Sequence, residues 1–124
     1  MTTQEVATRL VELCRKGQHE QAIKELYHPD IVSVEPEGSP FGTVKGLAAI
    51  AEKGKQYEAM VESFNTSSVS DPIVAENFFS CNMLSNVNMK GVPVPVDMDE
   101  ICVYTVHDGK VVKEEFFYTV QPQQ

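Results

Sequence analysis

Four carboxylates in one short stretch of the sequence have the type and spacing that proton transfer requires. The stretch, DEICVYTVHDGKVVKEEFFY at residues 99–118, alternates as two strands joined by a tight turn. Asp99 and Glu100 lie on the first strand, and Glu114 and Glu115 lie on the second. Because successive side chains on a strand point to opposite faces, one acid of each pair must share a face with the apolar residues.

The register of this hairpin decides which acids face the apolar side. A two-residue turn at Asp108 and Gly109 pairs Tyr104 with Lys113, which would place a lysine among the apolar side chains. A three-residue loop, with Gly109 left-handed and a bulge, gives these pairs instead: Tyr104 with Val112, Cys102 with Glu114, and Glu100 with Phe116. We predict this second register because it gathers the apolar side chains on one face. They are Met98, Cys102, Tyr104, Val106, Val112, Phe116 and Tyr118.

The predicted register places Glu100 and Glu114 on the apolar face, with Asp99 and Glu115 on the opposite face. Diagonal neighbours across a ladder are about 7–8 Å apart at the backbone, so the two carboxyl groups can approach each other. Burial and a nearby like charge both raise a carboxyl pKa, which suits a general acid or base. The alternative is that the sheet flares open here and both glutamates are hydrated.

Other residues extend this candidate site. Glu35 ends a predicted strand, and it is either a functional carboxylate or an ordinary loop charge. Lys53 lies on a predicted helix, and it either pairs with Glu35 or a substrate oxyanion or is simply exposed. Tyr104 and Tyr118 need hydrogen-bond partners if they are buried, and packing beside a glutamate is the simpler role. Cys102 is predicted to pack, since a neighbouring carboxylate raises a thiol pKa.

Composition and charge exclude several classes of function. The 124 residues suit one domain, and 18 acidic against 10 basic residues give a net charge of −8. This balance repels phosphate backbones and anionic membrane surfaces, so we expect neither nucleic acid nor a membrane as a partner. The 3 cysteines have neither CxxC nor metal-ligand spacing. We therefore expect buried free thiols, no metal, no cofactor and a soluble cytoplasmic protein.

Helical periodicity precedes the strands along the chain. Thr2 and Glu5 have the spacing of a capping box, which predicts a first helix that Gly17 ends. Further helices are predicted at 18–27 and 47–60, and strands at 31–35, 62–70, 73–90, 96–107 and 110–120. This order predicts a single α+β domain over residues 1–124, with three helices packed on one face of a curved, mostly antiparallel sheet.

Three segments together resemble a SnoaL-like member of the nuclear transport factor two-like superfamily. They are YHPDIVSVEP, then GLAAI after a glycine-bearing loop, then MDEICVYTVHDGKVVKEEFFY. The resemblance implies a cystatin-like cone in which a strongly bent sheet encloses an apolar pocket. It places Glu114, Phe116 and Tyr118 on the pocket side. It also implies dimerisation through the outer face of the sheet, where Ile101, Val103 and Phe117 would otherwise be exposed.

Ketosteroid isomerases of this superfamily use an aspartate base with a tyrosine and a protonated aspartate as oxyanion donors. That set is missing from this sequence. The tyrosine position falls near Leu10, the strand aspartate near Cys102, and the base within residues 35–37. The residues therefore do not make this chain a ketosteroid isomerase.

Two functions remain open. The first is a cofactor-free enzyme that isomerises, cyclises, dehydrates or hydrolyses a hydrophobic small molecule, with Glu100, Glu114 and Glu35 as candidate catalytic groups. The second is a non-catalytic module in which the same pocket holds a ligand or the sheet binds a protein. The ligand-binding candidates are Tyr104, Tyr118, Phe116, Cys102, Met83, Met98 and Lys53. Met83 and Met98 are included because flexible thioethers suit an irregular apolar ligand.

Overall fold

The computed structural model describes residues 1–120 and shows three helices and a seven-stranded sheet. The helices are α1 (Thr3–Arg15), α2 (His19–Leu26) and α3 (Leu47–Met60). The strands are β1 (Tyr27–Val34), β2 (Val44–Lys45), β3 (Val61–Val69), β4 (Ile73–Ala75), β5 (Phe78–Met89), β6 (Val96–His107) and β7 (Lys110–Phe117). The predicted bounds of α3 and β6 match the structure, while other predicted elements differ at their ends.

The first helix begins and ends where the sequence indicates. Thr2 Oγ1 accepts from the Glu5 amide at 3.1 Å, and Glu5 accepts from the Thr2 amide at 2.9 Å, which completes the capping box. At the other end Gly17 has a φ of 71°, a left-handed conformation that glycine adopts without steric cost. The apolar stripe between these ends is buried against the sheet: Val6, Leu10, Leu13 and Cys14.

The sheet has the strand order β2-β1-β7-β6-β5-β3, and β4 pairs with β5 outside this path. Strands β3 to β7 pair antiparallel, whereas β1 runs parallel to β7. The sheet curls without closing. Helix α1 packs on β3, β4 and β5, α2 packs on β1, and α3 packs on β1, β2 and β3. The predicted α+β cone with helices on one face of a curved, mostly antiparallel sheet is thus confirmed.

Three strand predictions were incomplete. The predicted strand at 73–90 is two strands, β4 and β5, separated by a turn in which Glu76 takes a φ of 53°. Strand β1 begins at Tyr27, before the alternating run, because Tyr27 already pairs with Val111 of β7. Strand β2 was missed, since it pairs through only Lys45 and Val44, and two residues show no periodicity.

The β6–β7 hairpin corrects the predicted register. His107 pairs with Lys110 across a two-residue turn in which Asp108 and Gly109 both have positive φ. Such a turn matches the twist of the strands better than the predicted three-residue loop. The bulge lies further along, at Val112, so Val111 rather than Val112 is buried.

The bulge also changes the partners of the candidate acids. Tyr104 pairs with Glu114, and Cys102 pairs with Phe116, so the predicted pairs Tyr104–Val112, Cys102–Glu114 and Glu100–Phe116 were wrong. Ile101 pairs with Phe117, which leaves Glu100 beyond the last paired residue of β7. The turn is one residue shorter than predicted, and the extra residue at Val112 offsets this difference. Glu114 therefore faces the core as predicted.

Candidate functional site

Glu114 lies in the core, with only 4% of its surface exposed. Its Oε1 atom accepts from Ser33 Oγ at 2.8 Å, and its Oε2 atom accepts from the Tyr27 hydroxyl. Strand β1 supplies both donors because it runs parallel to β7 and pairs Ser33 with Glu114. Burial raises the pKa of Glu114 above its ordinary value, and the hydrogen bonds from Tyr27 and Ser33 lower it in part.

Lys53 reaches from α3 onto β1. Its ammonium donates to Ser33 Oγ and to Glu35 Oε2, the second at 3.1 Å, and lies 5.0 Å from the centre of the Phe116 ring. The side chains of Lys53 and Glu35 are only 13% and 8% exposed, respectively. Lys53 was predicted either to pair with Glu35 or a substrate oxyanion or to be exposed on the helix. The structure shows that it pairs with Glu35 and is not exposed.

Tyr118 connects this ion pair to a loop. Its hydroxyl donates to Glu35 Oε1 at 2.7 Å and lies 2.9 Å from Ser39 Oγ. A tyrosine hydroxyl has one proton, so with that proton on Glu35 the Ser39 hydroxyl must be the donor to Tyr118. Burial raises the pKa of Tyr118 to about 12, which keeps that proton in place at neutral pH.

These contacts form one continuous hydrogen-bonded network, which we call the buried polar network. It runs from the core to the loop through Tyr27, Glu114, Ser33, Lys53, Glu35, Tyr118 and Ser39. Sequence reasoning missed three members, which are Tyr27, Ser33 and Ser39. For Ser33 a signal was present, since the alternation in IVSVE places it on the same face as Ile31 and Glu35.

Glu100 lies beside the network without joining it. Within residues 1–120 its carboxyl group has one hydrogen-bonding partner, the Cys102 thiol, at 3.7 Å. Burial raises the pKa of Glu100 to about 7, with a further contribution from the charge of Glu35, while the Cys102 contact lowers it in part. A carboxyl group whose pKa lies near neutral pH and which has unused lone pairs can accept or donate a proton.

Other predicted site residues lie around these acids. Met83 is half-buried and pairs with Glu100, and Met98 is half-buried two residues before it. The asparagines of β5 lie on the outer face, where Asn82 and Asn86 donate to Asp99 and Asp97 at 2.8 Å. This arrangement confirms that the methionines face inward.

Tyr104 and Cys102 are core residues, with 2% and 0% of their surfaces exposed. The Tyr104 ring stacks on Phe79 at a centroid distance of 4.7 Å. The contact with Cys81, together with burial, raises the pKa of the Cys102 thiol. Both residues thus have the packing role that the sequence allowed, and Cys102 has the properties of a poor nucleophile.

Two aromatic residues that were not predicted as site residues lie near Glu100 and the loop. Burial, and then the charge of Glu100, raise the pKa of Tyr57 on α3. Phe41 packs edge-on against Tyr57 with ring centroids 6.3 Å apart, and its amide donates to Ser39 Oγ at 3.2 Å. Residues 36–42 are thus fixed to the site by Ser39 and Phe41.

A groove beside Glu100 and Tyr118 opens to solvent. Its volume is about 520 Å³, and its lining is Asn82, Asp99, Glu100, Ile101, Phe117, Tyr118 and Thr119. Within residues 1–120 no three His, Cys, Asp or Glu side chains converge as metal ligands. Over the same residues, no helix combines the length and the apolar character needed to cross a bilayer.

Comparison with known proteins defines the family. A model described as a SnoaL-like domain matches residues 1–118. The chain belongs to the SnoaL-like family. A comparison with curated proteins finds no match.

Solved structures of similar fold agree with this family. A Mesorhizobium loti protein, described as a candidate SnoaL-like polyketide cyclase (carbohydrate phosphatase), is 30% identical, with a TM-score of 0.89 over 95% of this chain and 100% of its own. A Xanthomonas campestris protein of cystatin-like fold has a TM-score of 0.78 at 19% identity, over 94% of this chain and 90% of its own. TerC, crystallised with polyporic acid, has a TM-score of 0.75 at 20% identity, covering 94% and 91%. The last two share the fold alone.

Proposed function

We propose that this SnoaL-like domain binds a hydrophobic small molecule on the concave face of its sheet and moves a proton on it without a cofactor. The observation that carries the proposal is the contrast between Glu100 and Glu114. Both are carboxyl groups on the inner face, but Glu114 has hydrogen bonds on both oxygens, whereas among the described residues Glu100 has only a weak thiol donor. Glu100 is therefore the acid or base, and Glu114 is a positioning residue.

The network supplies a cation beside that base. Lysine has three N–H donors, and those of Lys53 include one directed to Ser33 and one to Glu35, which leaves a third for a ligand. When Glu100 removes a proton from a carbon next to a carbonyl group, negative charge develops on the carbonyl oxygen. A fixed ammonium stabilises that charge more in the transition state than in the ground state. Tyr118 cannot do so while its only proton bonds Glu35.

The relatives support a hydrophobic ligand. The Mesorhizobium loti protein is described as a candidate polyketide cyclase, and TerC was crystallised with polyporic acid. Isomerisation, cyclisation and dehydration all need the proton transfer described above. Hydrolysis would need Glu100 to act on a water molecule instead.

The second candidate is a binding module without turnover. The observation that favours it is that Glu35, Lys53 and Glu114 satisfy one another within the fold, as a purely structural network would. A variant distinguishes the two candidates. Glu100→Gln keeps the shape and removes the titrating group, so an enzyme loses at least a hundredfold in kcat and a binder keeps its affinity.

The experiment begins with the natural ligand. Native mass spectrometry of the purified protein identifies what co-purifies, and turnover of that compound is then followed with wild type, Glu100→Gln and Glu115→Gln. Glu115 is a matched control because it contacts Lys113 at 3.6 Å and is the neighbouring acid of the same hairpin. Unchanged turnover in Glu100→Gln would rule out the acid–base role.

We also propose a homodimer through the outer face of the sheet and a cytoplasmic location. Ile101 and Phe117 pair directly across β6 and β7, and they are 52% and 50% exposed. With Val103 they form an apolar patch of the kind that marks protein interfaces. The location is supported by the three buried cysteines, which are all unpaired, as in reducing compartments.

A further inference from the structure

The charges around the candidate site are unequal. Three carboxyl groups, those of Glu35, Glu100 and Glu114, surround one ammonium, that of Lys53. Glu35 neutralises Lys53 directly, because its Oε2 atom lies 3.1 Å from Lys53 Nζ and both side chains are almost entirely buried. The positive charge that a ligand meets is therefore already compensated before the ligand arrives.

In the described part of the chain, no further cation offsets the charges of Glu100 and Glu114. Among residues 1–120, Lys53 is the one basic side chain that contacts the buried polar network. The two arginines of α1 are engaged elsewhere, Arg9 with Glu25 and Arg15 with Asp71. An anionic group placed beside Glu100 would thus face like charge in a partly desolvated site, which is the arrangement that proteins use to reject partners.

We infer that the ligand of this site is uncharged where it meets Glu100, and that the site excludes carboxylates and sulfonates of the same size and shape. This inference rests on the proposed function and narrows its substrate class to neutral compounds. The negative charge that Lys53 stabilises then arises only during the reaction. A substrate that carried it beforehand would be bound too weakly to react.

Two fluorescent probes of one scaffold test this inference. N-phenyl-1-naphthylamine is neutral, and 8-anilinonaphthalene-1-sulfonate adds one sulfonate to the same rings. We expect the neutral probe to bind wild-type protein at pH 8 at least about tenfold more tightly. In Glu100→Gln, which removes one negative charge, we expect the gap to narrow at least about threefold through tighter binding of the sulfonate. Glu115→Gln serves as the control and keeps the wild-type ratio.

A second pair of variants locates the probe. Phe116 lies on the inner face under Lys53, and Phe78 pairs with Thr105 on the outer face at 49% exposure. We expect Phe116→Ala to weaken binding of the neutral probe at least about fivefold and Phe78→Ala to leave it unchanged. The opposite pattern would place the probe on the outer face and overturn the inference.

The remaining outcomes separate the inference from the proposed function. Equal or tighter binding of the sulfonate probe to wild type would overturn the charge selection while leaving an apolar ligand site intact. If Glu100→Gln keeps the wild-type ratio of affinities for the neutral and the sulfonate probe, Glu100 does not cause the charge selection. Binding of neither probe up to millimolar concentration would overturn the apolar ligand site and the inference together.

Discussion

The Lys53 ammonium lies 3.1 Å from the Glu35 carboxylate, and this ion pair bridges α3 and the end of β1. Both side chains are almost entirely buried, so the pair is sensitive to the loss of either partner. Removal of one charge leaves the other in a poorly solvated position, which costs more than the intact pair contributes. The pair is also the centre of the buried polar network.

Lys53→Met should therefore destabilise the fold by about 3–5 kcal/mol, because it leaves Glu35 buried without its cation. The measurement is urea unfolding at pH 7. Lys55→Met, an exposed lysine on the same helix, is the control and should change the free energy of unfolding by less than about 0.5 kcal/mol. Adding Glu35→Gln to Lys53→Met should recover part of the loss. A double variant no more stable than Lys53→Met would contradict this account.

Glu100 makes stability depend on pH. Its pKa rises from 4.5 to about 7 in the fold, so between these values the folded chain holds a proton that the unfolded chain has released. The free energy of unfolding must then fall as pH rises from about 5 to 8, by on the order of 2 kcal/mol from this group. The groups that set the pKa of Glu100 are Glu35, Glu114, Lys53 and Cys102.

Glu100→Gln should flatten this decline, leaving the slope due to Glu114, whose pKa is also raised. The test is the free energy of unfolding in urea at half-unit steps from pH 5 to pH 8 for wild type, Glu100→Gln and Glu115→Gln. Glu115→Gln should follow wild type. Parallel curves for wild type and Glu100→Gln would show that Glu100 titrates near its ordinary pKa.

Tyr118→Phe should release the loop at residues 36–42. The change removes the donor to Glu35 and the acceptor for Ser39, which should cost about 1.5–3 kcal/mol because one partner is charged. Hydrogen exchange followed by mass spectrometry should show faster exchange in the loop and no change in α1. Ser39→Ala removes the contact with Tyr118 and the acceptor for the Phe41 amide but leaves Tyr118 bonded to Glu35. It should accelerate loop exchange with a smaller loss of stability.

The same substitution at two glycines should have opposite effects. Gly109 has a φ of 74°, and an added Cβ would lie 3.0 Å from the Met1 backbone nitrogen. Gly109→Ala should therefore destabilise by about 1–2 kcal/mol. Gly54 is exposed on α3, with nothing within 4 Å of an added Cβ, so Gly54→Ala should stabilise by about 0.5–1 kcal/mol. Thermal unfolding of both variants measures the difference, and a shift in the same direction would be inconsistent with these backbone roles.

Ile101→Lys should convert the proposed homodimer to a folded monomer. The residue is 52% exposed on the outer face, so the change places a charge in the interface without disturbing the core. Sedimentation velocity at micromolar concentration gives the oligomeric state. Val94→Lys, at an exposed loop position, should sediment like wild type. A wild-type monomer under these conditions would eliminate the dimer.

The sequence predicted the faces of the acids better than their partners. Alternation along β6 and β7 correctly placed Glu100 and Glu114 inward, because one apolar face had to be buried. The same alternation could not predict that Tyr104 pairs with Glu114. A bulge leaves the apolar pattern intact on both sides of Val112, so the pattern does not report its position.

The sequence predicted only some members of the buried polar network, for a different reason. Ser33, Tyr27 and Tyr118 come together with Glu35 and Glu114 through the parallel pairing of β1 with β7 and the approach of α3. Periodicity reports which face a residue takes within its own strand, but not which distant strand becomes its neighbour. Likewise, the sequence could not show that Glu100 has the Cys102 thiol as its one hydrogen-bonding partner within residues 1–120.

The parallel pairing of β1 and β7 brings together residues more than eighty positions apart, such as Ser33 and Glu114. During synthesis Tyr27 and Ser33 therefore lack their Glu114 partner until β7 has left the ribosome. Contacts of such long sequence separation form late and slow the closing of a fold. Strand β7 thus both completes the sheet and supplies Glu114 to the buried polar network. Truncations that remove β7 should therefore yield chains that are unstable and also lack the complete network.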